Sequence, residues 1–296
     1  MNVFRFGSLI ATAALITAIV LGSGCAAPSV ETTTPPPASE PNQAPVISSM
    51  TAEPAEITYG DSSALICTAT DPEYDPIKYS WSASEGTITG TGREVTWTAP
   101  NKDGDFNISV NLTDSRGGQT TGTIVINVSA PIKMVAINPV AAETGTVAQT
   151  NATDYSKTWA GDDAKNVGYR AFWGFNTSSL AGKDIQSANL KFTTAKVTGD
   201  PFGYHPSGLG GLLLWKTTHG STLPEFGYVG SKLIATGYML DPPIVVDVTT
   251  EIKLLTSHKV GRFQVEALFD RVSNGDNTAE GIEWSSAVLE VTYSVK

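Results

Sequence analysis

The sequence predicts an all-β protein, two tandem antiparallel β-sandwiches behind an exported leader and a proline-rich tether. Three observations carry that reading. Apolar and polar residues alternate with a period of two in short runs separated by Gly, Pro and Asp turns. Ser, Thr, Gly and Val are abundant, while only 16% of residues are charged, a balance typical of secreted β-rich chains. No segment sustains a helical period except Thr249 to Ser257, which predicts about two turns with Ile252 and Leu255 facing inward.

The first element is an address. Met1 to Gly7 carries one positive charge, Arg5, and the apolar run SLIATAALITAIVLG follows. A basic start, an apolar stretch too short to span a bilayer of about 30 Å, and a small-residue exit describe a signal peptide over residues 1–24. The exit Leu21-Gly22-Ser23-Gly24-Cys25 resembles the bacterial lipobox. The resemblance implies cleavage before Cys25, lipidation of that residue, and anchoring at the bacterial envelope outside the cytoplasmic membrane. Gly22 departs from the larger aliphatic residue usual there, and an ordinary signal peptide cut near Ala26 or Ala27 is the alternative.

Residues 25–43 hold five prolines, three of them consecutive, among Thr, Ser and Ala. Such a stretch builds no core and favours extended backbone, reaching roughly 60 Å. It reads as a tether that displays folded domains away from a membrane.

Residues 44–130 read as the first sandwich. Leu65, Cys67 and Ala69 share one face, as do Ile77, Tyr79 and Trp81, then Phe106, Ile108, Val110 and Leu112, and finally Ile124, Ile126 and Val128. In an immunoglobulin-like arrangement Cys67 takes the B-strand position, Trp81 the C-strand position and Ile108 the F-strand position. Cys67 then has no disulfide partner and is expected to be a buried, small apolar residue. The strings APVISSMTAEP, ATDPEYDPIKYSW, TWTAP and LTDSRGG resemble the PKD and related bacterial Ig-like domains. That resemblance implies a spacer or adhesion module.

Residues 131–296 read as a larger sandwich, with strands near 132–138, 145–149, 168–175, 186–197, 210–217, 231–236, 243–248, 262–269 and 284–294. The phrase YRAFWGFNTSSLAGKDIQSANLKF, with the later VVDVTTEIKLL and EWSSAVLEVTY, is similar to the DNRLRE-type, carbohydrate-binding-module-like jelly rolls of bacterial surface proteins. Asn176 and Ala287 depart from that pattern, where Asp and Pro are usual. The likeness implies a jelly roll that accompanies polysaccharide-active or adhesive proteins.

Charge narrows the function. The chain has 19 basic and 29 acidic side chains, a net charge of −10, which excludes the basic stripe a nucleic-acid binder needs. Residues 44–130 hold 11 acids against 4 bases. Asp71, Glu73 and Asp75 alternate in the B–C loop and Asp114 opens the F–G loop, at the same end of an Ig-like sandwich. Convergent carboxylates suit calcium, which takes about 6–8 oxygens; the same residues also serve as turn formers. No other cofactor is indicated.

Catalytic patterns are missing: no G-x-S-x-G, no H-E-x-x-H, no phosphate-binding loop. His205, His219 and His258 fall in loops, and Glu280 with Glu283 is a pairing that chance supplies. The expectation is a protein that is not an enzyme. Trp159, Trp173 and Trp284 lie in strand-like stretches and read as packing. The irregular stretch from Asp200 to Val229 places Phe202, Tyr204, Trp215, Phe226 and Tyr228 among Gly, Pro, Ser and His, as ligand-binding loops do. Those rings either recognise a ligand or staple the loop to the sandwich. The sequence therefore points to a surface lipoprotein displaying a binding or adhesion sandwich toward polysaccharide or another surface component. The alternative is a structural subunit of an envelope or surface-layer assembly.

Overall fold

In the computed structural model, residues 40–203, 208–237 and 244–295 are described. The leader, Cys25, the tether up to residue 39, Tyr204 and His205 lie outside the described residues. Strands dominate, as the alternation requires. Among the described residues no helix is long and apolar enough to cross a membrane.

The first sandwich is built from β1 (Val46–Glu53), β2 (Glu56–Thr58), β3 (Ser62–Thr70), β4 (Lys78–Ala83), β5 (Thr87–Thr89), β6 (Glu94–Thr98), β7 (Gly104–Thr113) and β8 (Gln119–Ser129). One sheet has the order β1-β3-β6-β5 and the other β2-β8-β7-β4. All pairs are antiparallel except β2 with β8. Alternate residues turn inward: Leu65 and Cys67, then Phe106, Ile108, Val110 and Leu112, then Ile126 and Val128, all buried. Each such large apolar side chain contributes about 1.5–3 kcal/mol on leaving water.

Two details differ from the sequence reading. The fully buried indole is Trp97 on β6, which packs on Phe106 at 5.8 Å and donates its N–H to Glu85 O at 2.9 Å. Trp81 is only half-buried, its N–H on Gly92 O at 2.9 Å. Cys67 groups with Val110 and Leu112, with Trp81 at their margin, while Ile108 packs in the Trp97 cluster. The F-strand residue facing Cys67 is thus one inward step further along than expected. Cys67 is a free, buried thiol, and burial pushes its pKa up.

The second sandwich comprises β9 (Ile132–Ile137), β10 (Gly145–Ala148), β11 (Thr153–Asp154), β12 (Thr158–Asp162), β13 (Gly168–Asn176), β14 (Asp184–Thr198), β15 (Leu212–Thr217), β16 (Lys232–Gly237), β17 (Ile244–Asp247), α1 (Thr249–Ser257), β18 (Arg262–Phe269) and β19 (Glu280–Ser294). Hydrogen bonding runs β16-β15-β18-β13-β12-β19-β14-β17, with β10 beside β13, β11 beside β10 and β9 beside β19. The sheet doubles over on itself. Trp173 on β13 meets Phe192 on β14 at 4.8 Å and Trp284 on β19 at 5.2 Å, although β13 and β14 are not neighbours in the ladder. The inward stripe of Phe263, Val265, Ala267 and Phe269 on β18 joins the same core. Helix α1 takes no part in the ladder; it is the one helix the sequence predicts, burying Ile252 and Leu255 against that core.

The fold closes at β12, which pairs with both β13 and β19. Two glycines make the crossing possible. Gly161 lies opposite Gly281 in register, and a Cβ at Gly161 (φ +149°) would sit 2.0 Å from Glu280 O.

Candidate functional site

The five aromatic positions proposed for ligand binding do not share one platform. Phe202 turns to the core and packs on Phe269 at 5.5 Å. Tyr204 lies outside the described residues. Trp215 is half-buried on β15, paired in register with Glu266. Phe226 and Tyr228 do come together, on Arg170: its guanidinium lies 4.6 Å from the Phe226 ring, and Nη1 donates to Tyr228 O at 2.6 Å.

Beneath that segment the outward face of β13 and β18 carries buried polar groups. Glu266 accepts from Gly230 N at 2.9 Å, and its other oxygen lies 3.6 Å from Arg170 Nη1. Gln264 donates to Glu143 Oε2 at 2.7 Å and to Gly220 O at 2.6 Å, and accepts from His219 N at 3.0 Å. Burial raises the Glu266 carboxyl above its ordinary pKa and lowers that of His219. Tyr228 Oη donates to Thr218 O at 2.7 Å, and Leu223 packs on Val147 and Phe172. Residues 218–231 are therefore fastened down at both polar and apolar points. His258 closes α1, its ring on Leu254 O at 2.8 Å. Glu280 and Glu283 stand three apart on one strand, so their side chains leave from opposite faces.

An open cleft of about 430 Å³ lies elsewhere on this sandwich. Its walls include Asn138 and Pro139 after β9, Tyr155 to Thr158 leading into β12, and Trp284 to Ala287 on β19. Tyr155 is 51% exposed. Lys157 sits 3.9 Å from Asp154. The Trp284 indole N–H is buried and makes no hydrogen bond, where such groups are normally satisfied. Trp173 and Trp284 were readable as packing residues, and they are. What the sequence reading missed is Tyr155 and the serines beside Trp284. A polar pair, Ser285-Ser286, interrupts a strand that should alternate, and that interruption is the available clue.

The acidic loops of the first sandwich also take shape. Asp71, Glu73 and Asp75 each bring a carboxylate oxygen to within 4.8 Å of the others. Asp71 Oδ1 accepts from Glu73 N at 3.0 Å and Asp75 N at 3.1 Å. Arg116 Nε donates to Asp75 Oδ2 at 2.7 Å. Asp114 is engaged separately: it accepts from Asn42 Nδ2 at 3.0 Å, Arg116 N at 2.8 Å and Gly118 N at 2.9 Å. Desolvation pushes its carboxyl up, but the bonds from Asn42, Gly118 and Arg116 outweigh it, and the pKa lies below the ordinary value.

With this geometry in view, residues 42–127 match the bacterial Ig domain family. The first sandwich is thus Ig-like in class. No curated protein sequence matches the chain. Several solved structures resemble it weakly. A nucleoside hydrolase-related protein from Saccharophagus degradans, described as associated with carbohydrate metabolism, is 21% identical with a TM-score of 0.26; the match covers 30% of this chain and 26% of that one. A carbohydrate-binding module of the β-sandwich superfamily is 10% identical, TM-score 0.28, covering 86% of this chain and 94% of that one. A Clostridium perfringens ZmpB fragment, with its second carbohydrate-binding module in complex with GlcNAc, is 15% identical, TM-score 0.19, over 83% of this chain and 48% of that one. Superpositions this loose carry no functional inference.

Proposed function

We propose that the chain is a non-catalytic binding protein of the bacterial surface, lipidated at Cys25, whose second sandwich holds a neutral polysaccharide. The observation that carries this reading is the cleft beside Tyr155. It offers an exposed ring, the hydroxyls of Ser156, Thr158, Ser285 and Ser286, the Asn138 amide and a cation already near a carboxylate. Sugars present apolar C–H faces and many hydroxyls, so a ring flanked by small polar groups suits them. The volume falls in the range of about 300–1,000 Å³ usual for ligand pockets, room for a few sugar units of a longer chain.

The test is binding of the full chain to a panel of neutral and anionic polysaccharides. Tyr155→Ala is expected to weaken binding by about tenfold or more, on the order of 1.4 kcal/mol, with an unchanged melting temperature because the ring is half outside. Absence of binding to every glycan removes the reading. Loss of binding in Trp215→Ala, with Tyr155→Ala unaffected, moves the site to the segment 218–231.

An assembly role has one observation in its favour. Ile132 and Met134 on β9 are 68% and 70% exposed, two neighbouring apolar side chains on one strand face. Self-association that Met134→Lys abolishes would support it.

A further inference from the structure

We propose that the loop between β3 and β4 binds a calcium ion through Asp71, Glu73 and Asp75. Two independent observations meet there. The first is convergence: the three side chains bring oxygens within 4.8 Å of one another. Oxygens that share one calcium at about 2.3–2.6 Å stand up to about 5 Å apart, so one ion can reach all three with little movement. The second is an orphan. Asp71 is only 5% exposed, and while Oδ1 takes two backbone N–H groups, Oδ2 is buried with no hydrogen bond at all. A carboxylate oxygen shut away from water needs a donor or a cation, and none is supplied by the protein.

Charge arithmetic agrees. Three carboxylates meet one cation, Arg116, whose Nε rests on Asp75 Oδ2 at 2.7 Å. Two negative charges remain, the complement of a divalent ion. The other contacts leave lone pairs free: Ser115 Oγ donates to Asp75 Oδ1 at 3.0 Å, and Gln43 donates through N and Nε2 to the two Glu73 oxygens at 3.2 and 2.9 Å. Each ionised carboxylate has about four acceptor sites, so these bonds and an ion coexist. Carbonyls and water complete the shell in the manner of a hard cation.

The position gives the ion a purpose. Gln43 holds Glu73, and Asn42 holds Asp114 in the adjoining turn. The stretch leading into β1 is therefore clasped by both acidic loops, and calcium would stiffen the clasp where the tether meets the first sandwich. This site is independent of the glycan cleft.

Calcium titration of the full chain, freed of metal with a chelator, tests the proposal by calorimetry and by melting temperature. One site per chain is expected, with a dissociation constant on the order of 10⁻⁴–10⁻³ M as in extracellular modules, and a melting temperature that rises with calcium. Asp71→Asn keeps the oxygen that accepts the two amides and replaces the unpartnered one. It should fold as the parent does in chelator yet lose affinity by about tenfold or more, since affinity follows ligand charge. Glu73→Gln, at the more exposed rim, should weaken binding likewise and guards against a folding defect in the first variant. No heat and no melting shift in the parent would overturn the proposal. So would variants that titrate like the parent, or an equal response to magnesium.

Discussion

Removing Glu266 should unfasten residues 218–231, and the size of the effect follows from the environment of that side chain. Its exposure is 2%, and that of its partner Arg170 is 15%. Glu266→Leu leaves a buried guanidinium without its carboxylate and the Gly230 N–H without its acceptor. Breaking a buried pair in this way costs about 3–5 kcal/mol. The lower end applies here, because the ion-pair distance is a long 3.6 Å and Arg170 keeps Tyr228 O and the Phe226 ring. About 3 kcal/mol corresponds to a fall of roughly 6–12 °C in the melting of a domain this size. The double variant Glu266→Leu with Arg170→Met removes the stranded charge as well. Its remaining loss is two loop hydrogen bonds, about 1 kcal/mol each, offset by newly buried apolar surface. The double variant should therefore lie within about 1 kcal/mol of the parent, a coupling of at least about 2 kcal/mol once the loss from Arg170→Met alone is added to that from Glu266→Leu. Scanning calorimetry gives the energies, and amide exchange over residues 218–231 locates the change. A single variant costing under about 1 kcal/mol, or effects that simply add, would refute the reasoning.

Other expectations follow from buried acids and from the thiol. Burial raises the Asp162 and Glu280 carboxyls above their ordinary values, with the charge of Asp276 adding to both and that of Asp162 adding to Glu280. The folded state then binds protons more tightly than the unfolded one. Their favourable contribution is present at acid pH and is lost as pH rises through the raised folded values. Asp162→Asn, which can still accept from Glu280 N, should flatten this slope and raise the urea midpoint at neutral pH; an unchanged profile between about pH 4 and about pH 7 would contradict it. Cys67 should resist thiol reagents until the first sandwich unfolds. Any thiol that reacts in the native chain is then Cys25, and lipidation would abolish that reaction, as mass spectrometry of the labelled chain can check.

The fold was legible because alternation is a local property. Every strand written on a clear period-two stripe appears, and so does the α-helix expected at Thr249–Ser257. What escaped were features set by remote neighbours. Residues 158–162, TWAGD, carry no stripe, yet they form β12, because Gly161 and Gly281 let two strands approach more closely than side chains allow. Trp97 rather than Trp81 fills the centre of the first core, a choice made by the sheet opposite. The acidic triad was visible because its members alternate within one short loop. The cleft was not, since Asn138, Tyr155 and Ser285 are brought together only by the closing of the sandwich. The aromatics near 200–228 were noticed for their type, but type alone does not say which way a ring turns.

One consequence of the β9 position concerns load. Strand β9 pairs with β19 over six residues, Ile132 to Ile137 against Leu289 to Ser294. The cleft touches this ribbon at one end, through Asn138 and Pro139 and through Ser285 to Ala287, while Pro131 enters at the other. A pull between a captured ligand and Pro131 therefore drags the two strands along their length in opposite directions. All the rungs strain together instead of parting one after another. A ligand held in the proposed cleft would thus load this ribbon in shear, the direction in which a short ribbon of strand holds hardest.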